Sequence, residues 1–145
     1  MLQYGRVSTV AIHDTGVRVR LDTDRDIIAA RHFARGLAHD AGFGLADLAI
    51  IATAISELGQ NVLRYARTGT LEIEIVHDGA RRGILIVASD QGPGIPDIEL
   101  ALQDGYSTSG RLGLGLPGVR RLMDDFAITS ETGRGTTVTV TKWSG

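Results

Sequence analysis

Residues 90–118 read D-Q-G-P-G-I-P-D-I-E-L-A-L-Q-D-G-Y-S-T-S-G-R-L-G-L-G-L-P-G, two glycine clusters divided by a short spacer. No other stretch restricts the fold as strongly. An apolar run, G-I-L-I-V-A-S at 83–89, leads straight into Asp90, so the first cluster lies where a buried strand gives way to a turn. The second cluster, 113–118, opens a helical pattern carried by Val119, Leu122, Met123 and Phe126. A helix begun in this way aims unpaired N–H groups and a positive dipole end at whatever lies before it, which suits an anion. Glycines also simply make turns, so either cluster alone would say little. Together they point to a phosphate-bearing ligand approached closely by backbone.

The remainder reads as support for this segment. Residues 6–12 and 17–21 alternate apolar and polar around His13-Asp-Thr-Gly16, a β-hairpin at a sheet edge. Thr23 and Asp26 resemble a capping box, followed by Ile27, Ala30, Ala34, Leu37 and Ala41 at helical steps; Gly42 and Gly44 end that helix. A second helix is expected over 45–66, with Leu48, Ala52, Ile55, Gly59, Val62 and Ala66 on a buried stripe widened by Ile51, Leu58 and Tyr65. Its one polar strip is Thr53, Glu57, Asn61 and Arg64, so a carboxylate and an amide stand one turn apart on one face. Strand patterns at 70–77 and 83–89 flank a charged hairpin tip, and a last pair, 127–131 and 136–142, closes the chain. The order β-β-α-α-β-β-loop-α-β-β predicts an α/β two-layer sandwich, a mixed and mostly antiparallel sheet with helices on one face, in a single domain over 1–145.

Composition mainly excludes. With 145 residues, net charge −2 and no Lys/Arg block longer than two, a nucleic-acid partner or polybasic membrane patch is not expected. The absence of cysteine removes disulfides and thiolate metal sites, and apolar stretches stay short of the ~20 residues of a membrane span, so a cytoplasmic protein is the expectation. Lys142 is the only lysine and lies in the last strand pattern, which rules out both a Walker P-loop and the strand lysine of eukaryotic-type kinases.

Other motifs in the chain carry less. Gly113-x-Gly-x-x-Gly118 matches the dinucleotide fingerprint in letters, with Glu131 downstream, but it follows a polar loop where a strand is required. Ser107 and Ser109 lie outside any nucleophile motif, and His32 and His39 share a helix with no third ligand nearby. Glu57 and Asn61 read either as a solvated helix face or, if they face the glycine segment, as a proton acceptor and a Mg²⁺ ligand beside phosphates.

Glu57-x-x-x-Asn61, Asp90-x-Gly92-x-Gly94, Gly113-x-Gly115 and Gly135-Thr-Thr137 resemble, in order and spacing, the boxes of the GHKL superfamily of ATPases and kinases. The wording I-S-E-L-G-Q-N-V-L-R-Y-A and the stretch 90–126 are closer still to the small serine-protein kinases of bacterial sigma-factor partner switching, RsbT type. The resemblance covers about 22–143. It implies a Bergerat ATP-binding fold using ATP and Mg²⁺, with Asn61 as Mg²⁺ ligand and Glu57 as general base. By the same resemblance Asp90 accepts from the adenine amino group, helped through water by Gly94 and Thr137, while Gly92 shapes the turn. Gly113, Leu114, Gly115 and Leu116 would offer N–H groups to phosphates, 104–112 would form a lid, Arg111 would touch a phosphate, and Ile95, Leu100 and Leu112 would wall the adenine or belong to the core. The implied activity is transfer of phosphate from ATP to serine or threonine of a STAS-domain antagonist protein. The alternative is a nucleotide-dependent binding module, either an anti-sigma factor holding a sigma subunit or an activator of a serine phosphatase.

Overall fold

The computed structural model describes residues 10–103 and 115–144. Its frame is a six-stranded sheet, order β1-β2-β3-β4-β6-β5, of β1 Val10–Ile12, β2 Gly16–Leu21, β3 Gly69–Asp78, β4 Arg81–Asp90, β5 Asp125–Glu131 and β6 Gly135–Ser144. All five pairings are antiparallel, so the parallel component allowed by the expected mixed sheet is absent among the described residues. Strand alternation sends Ile84, Ile86 and Ala88 of β4, with Val138 and Val140 of β6, to one buried face. Helices α1 Asp24–Asp40, α2 Leu45–Tyr65 and α4 Gly115–Leu122 cover that face, with α2 between the other two.

Local chemistry sets the helix ends. Asp26 Oδ2 accepts from the backbone N–H groups of Asp22 and Thr23 at 2.7 and 2.9 Å, the carboxylate half of the expected capping box. Helix α1 buries Ile27, Ala30, Ala34 and Ala38, mostly small residues that let it lie close to α2. On α2 the buried set is Leu48, Ile51, Ala54, Ile55, Leu58, Gly59 and Val62. Tyr65 departs from the expected stripe: as the last residue of the helix it is 46% exposed, with the Arg64 guanidinium 5.9 Å from its ring centroid.

Two elements differ from the sequence pattern. A single turn, α3 Ile98–Ala101, forms where a loop was expected, and Asp97 Oδ1 caps it by accepting from Leu100 N at 3.0 Å. Four residues are too few for periodicity to register. Phe126, expected on the last helix, belongs to β5 opposite Val140. Phe126 satisfies a helical step from Met123 and also the alternation Phe126, Ile128, Ser130. The strand wins because Asp124 N donates to Thr141 O at 3.0 Å and starts the β5–β6 ladder there.

Candidate active site

Helix α2 is the element on which the motifs meet. Glu57 and Asn61 lie on it one turn apart, both half-buried. Glu57 Oε1 accepts from the backbone N–H of Gly115 at 3.1 Å, which joins the carboxylate to the first residue of α4. The amide of Asn61 has no hydrogen-bond partner among the described residues. At the end of α2, Ala66 packs under the glycine turn, close enough that a Cβ on Gly92 would stand 2.6 Å from the Ala66 Cβ. One helix and its C-cap thus reach both glycine clusters.

Asp90 ends β4 and turns its carboxylate toward the turn that follows. Its Oδ1 accepts from Gly92 N at 2.9 Å, a short Asx-type link that orients the group, and Oδ2 has no partner among the described residues. That oxygen is therefore available to an external N–H donor. Gly94 holds φ +81°, and a Cβ there would meet the Glu131 carbonyl oxygen at 2.6 Å; only glycine lets the turn lie against the β5–β6 hairpin. Two hydrogen bonds fasten it there, Ile95 N to Ser130 Oγ at 2.6 Å and Gly133 N to Pro93 O at 2.9 Å. On the hairpin side Gly135, φ +120°, presses its bare Cα against the backbone of Asp90, where a Cβ would collide with the carbonyl oxygen.

The register separates two neighbouring threonines. Asp90 pairs with Thr136, which is 6% exposed and stands on the helix-facing side with Val138 and Val140. Thr137 pairs with Ser89 and Thr129, so its side chain projects from the opposite face of the sheet. The place beside Asp90 that the resemblance implied for Thr137 is thus held by Thr136. Counting back by twos from Val140 identifies Thr136 in the sequence itself. Ser130, across from Thr136 and bonded to the glycine turn, carried no motif signal at all.

Ile95 is half-buried and packs on the core, as does Leu116, which is 7% exposed; Leu100 is half-buried. With its side chain turned inward, Leu116 can meet a ligand only through its backbone. Arg111, Leu112, Gly113 and Leu114 lie outside the described residues, as does the whole of the expected lid, 104–112. No group of three or more His, Asp or Glu among the described residues could hold a metal. The chemistry of the donors on α2, the Asn61 amide oxygen one turn from a carboxylate that reaches Gly115, is compatible with Mg²⁺, an ion held through few protein oxygens with phosphates and water supplying the rest.

Residues 19–142 match the family model of the histidine kinase-like ATPase domain. The chain belongs to that family. It is 53% identical over 125 residues to the serine/threonine-protein kinase RsbT of Bacillus subtilis (strain 168), covering 86% of this chain and 94% of that one. It is 33% identical over 105 residues to the anti-sigma F factor of Thermoanaerobacter sp. (strain X514), covering 68% of this chain and 72% of the relative. The crystal structure of the RsbU and RsbW domains of a Mycobacterium tuberculosis protein superposes with TM-score 0.57 at 20% identity, over 88% of this chain and 33% of that one, a likeness of fold. Within the family the chain is an RsbT-type protein serine/threonine kinase, and its ATPase-type domain is an ATP-binding one. No helix among the described residues is long and apolar enough to cross a membrane.

Proposed function

We propose that this chain transfers the γ-phosphate of ATP to a serine or threonine of a STAS-domain antagonist protein in a sigma-factor partner-switching pathway, as a single cytoplasmic domain over 1–145. The observation that carries the reading is the bond from Gly115 N to Glu57 Oε1 at 3.1 Å. It joins the carboxylate that stands one turn before Asn61 on α2 to the start of α4. In the proposed roles, Asp90 Oδ2 accepts from the exocyclic amine of adenine and Thr136 serves the neighbouring edge of the base. Asn61 supplies its amide oxygen to Mg²⁺, which when bound offsets phosphate charge. The N–H groups that open α4, with Gly113 and Leu114 before it, receive phosphate oxygens. Glu57 takes the proton of the acceptor hydroxyl as its oxygen attacks the γ-phosphorus and the bond to ADP breaks. Arg111 is proposed as a further phosphate contact. Phosphoryl transfer asks mostly for positioning and charge neutralisation, so the lack of a phosphate-binding lysine is no obstacle.

The test is transfer of labelled phosphate from Mg-ATP to candidate STAS-domain proteins, with wild type and Glu57→Ala. Label that appears with wild type and is lost in the variant supports both the activity and the base. ATP binding without labelling of any such protein would overturn the substrate assignment. The 33% identity to an anti-sigma F factor favours one second reading, in which nucleotide state sets affinity for a sigma subunit or a serine phosphatase. Retention of such a partner that depends on ATP, without transfer to it, is the result that reading requires.

A further inference from the structure

Ser130 sits at a junction of three groups. Its Oγ accepts from Ile95 N at 2.6 Å, lies 2.9 Å from Thr136 Oγ1 and lies 3.3 Å from Gly135 O. A serine hydroxyl has a single proton to donate. Good O–H···O bonds span about 2.5–3.0 Å, so the carbonyl at 3.3 Å is the poorer acceptor and Thr136 Oγ1 the better one. Where the serine oxygen accepts from Ile95 and its proton goes to Thr136 rather than to Gly135 O, the Thr136 proton points elsewhere. Thr136 is buried and directly opposite Asp90, so that proton is offered to the space beside the carboxylate.

We propose that Ser130 is a positioning residue for base recognition: through the chain Ile95 N–H, Ser130 O–H, Thr136 O–H it fixes Thr136 as a hydrogen-bond donor next to the acceptor Asp90. The inference rests on the ATP-binding reading. It says more than that reading, because a threonine hydroxyl can donate or accept, and only its neighbours decide which. Adenine presents a donor at its 6-amino group and an acceptor at N1, the complement of an acceptor Asp90 and a donor Thr136, reached directly or through one water. Guanine presents the reverse at both positions. The same hydroxyl chain begins at the glycine turn, so docking of that turn on the β5–β6 hairpin and the hydrogen-bond polarity of the base site are set together.

The experiment is a cycle that crosses a side-chain change with an atom change in the ligand. Affinities for ATP and for 1-deaza-ATP, in which N1 is replaced by C–H, are measured by calorimetry on wild type, Ser130→Ala, Ser130→Cys and Ser130→Thr. Wild type is expected to prefer ATP by roughly five- to tenfold, the worth of one good hydrogen bond. In Ser130→Ala the preference should fall to about twofold or less, because Thr136 can then turn its proton away. Ser130→Cys, nearly the same shape but a weak donor, tests the same loss if the alanine variant does not fold, and Ser130→Thr should restore the preference. A merely structural role would lower both affinities alike and leave their ratio at the wild-type value, which would overturn the inference alone. Wild type that binds neither nucleotide would overturn the ATP-binding reading and the inference with it.

Discussion

Replacing Gly94 by alanine should release the glycine turn from the β5–β6 hairpin without unfolding the core. The residue has φ +81°, and a Cβ would lie 2.6 Å from the Glu131 carbonyl oxygen and 3.0 Å from its carbon. Left-handed backbone costs an L-residue roughly 1–2 kcal/mol, and overlap with backbone, which cannot swing aside, raises the cost of staying docked to about 3 kcal/mol. The turn has a cheaper escape. It is held to the hairpin by two hydrogen bonds, Ile95 N to Ser130 Oγ and Gly133 N to Pro93 O, with a combined net worth of about 2 kcal/mol. The smaller term decides, so the variant lets the turn lift, favouring the undocked form by about 1 kcal/mol and leaving roughly 15% docked. Global stability in guanidinium should then fall by about 2 kcal/mol, the docking energy and not the full overlap. ATP affinity, if it requires the docked turn, should fall about sixfold, the reciprocal of the docked fraction. Amide hydrogen exchange reads the event directly, because Ile95 and Gly133 are the donors of the two bonds: both should exchange faster while Ile86 and Val140, in the core, stay protected. A variant with both amides protected as in wild type and ATP affinity unchanged would refute the reasoning.

Three further outcomes follow from particular contacts. Glu57→Ala should reduce phosphate transfer by about 10²- to 10⁴-fold, the usual worth of a positioned base, with ATP affinity largely kept; normal transfer would remove Glu57 from the base role. Thr136→Val should weaken ATP binding by roughly five- to tenfold, with Thr137→Val near wild type, since only Thr136 shares a face with Asp90. The opposite order in a titration would contradict the register argument. Gly59→Ala adds a methyl 2.8 Å from Ile27 Cγ1, where overpacking of about 1–3 kcal/mol outweighs the ~1 kcal/mol that alanine gains over glycine in a helix. In an Ile27→Ala background the overlap is gone, so the same substitution should become stabilising by about 1 kcal/mol in chemical denaturation; no change of sign would mean that α1 does not press on α2 there.

Much of the architecture was legible because its signals are local. The hairpin of β3 and β4, the capping of α1 by Asp26 and the long α2 follow from periodicity and end signals within a few residues of each other. Phe126 shows where this stops: helical and strand periods both accept it, and its place is decided by Val140, fourteen positions away. Short α3 depends on one Asp97 side chain and leaves no periodic trace.

The candidate site divides in the same way. By themselves the residues determined the cast: a carboxylate and an amide one helical turn apart, an aspartate at a strand end, and two glycine clusters, because each of those patterns is chemistry at short range. Tertiary structure decided the assembly. That Glu57 meets Gly115, that Thr136 and not Thr137 faces Asp90, and that Ser130 ties the glycine turn to the hairpin are matters of register and packing between segments as many as 58 residues apart. A strand's side chains alternate faces with every residue, so a threonine pair in the sequence is two different environments in the sheet, and only the hydrogen-bonded ladder says which one stands beside Asp90.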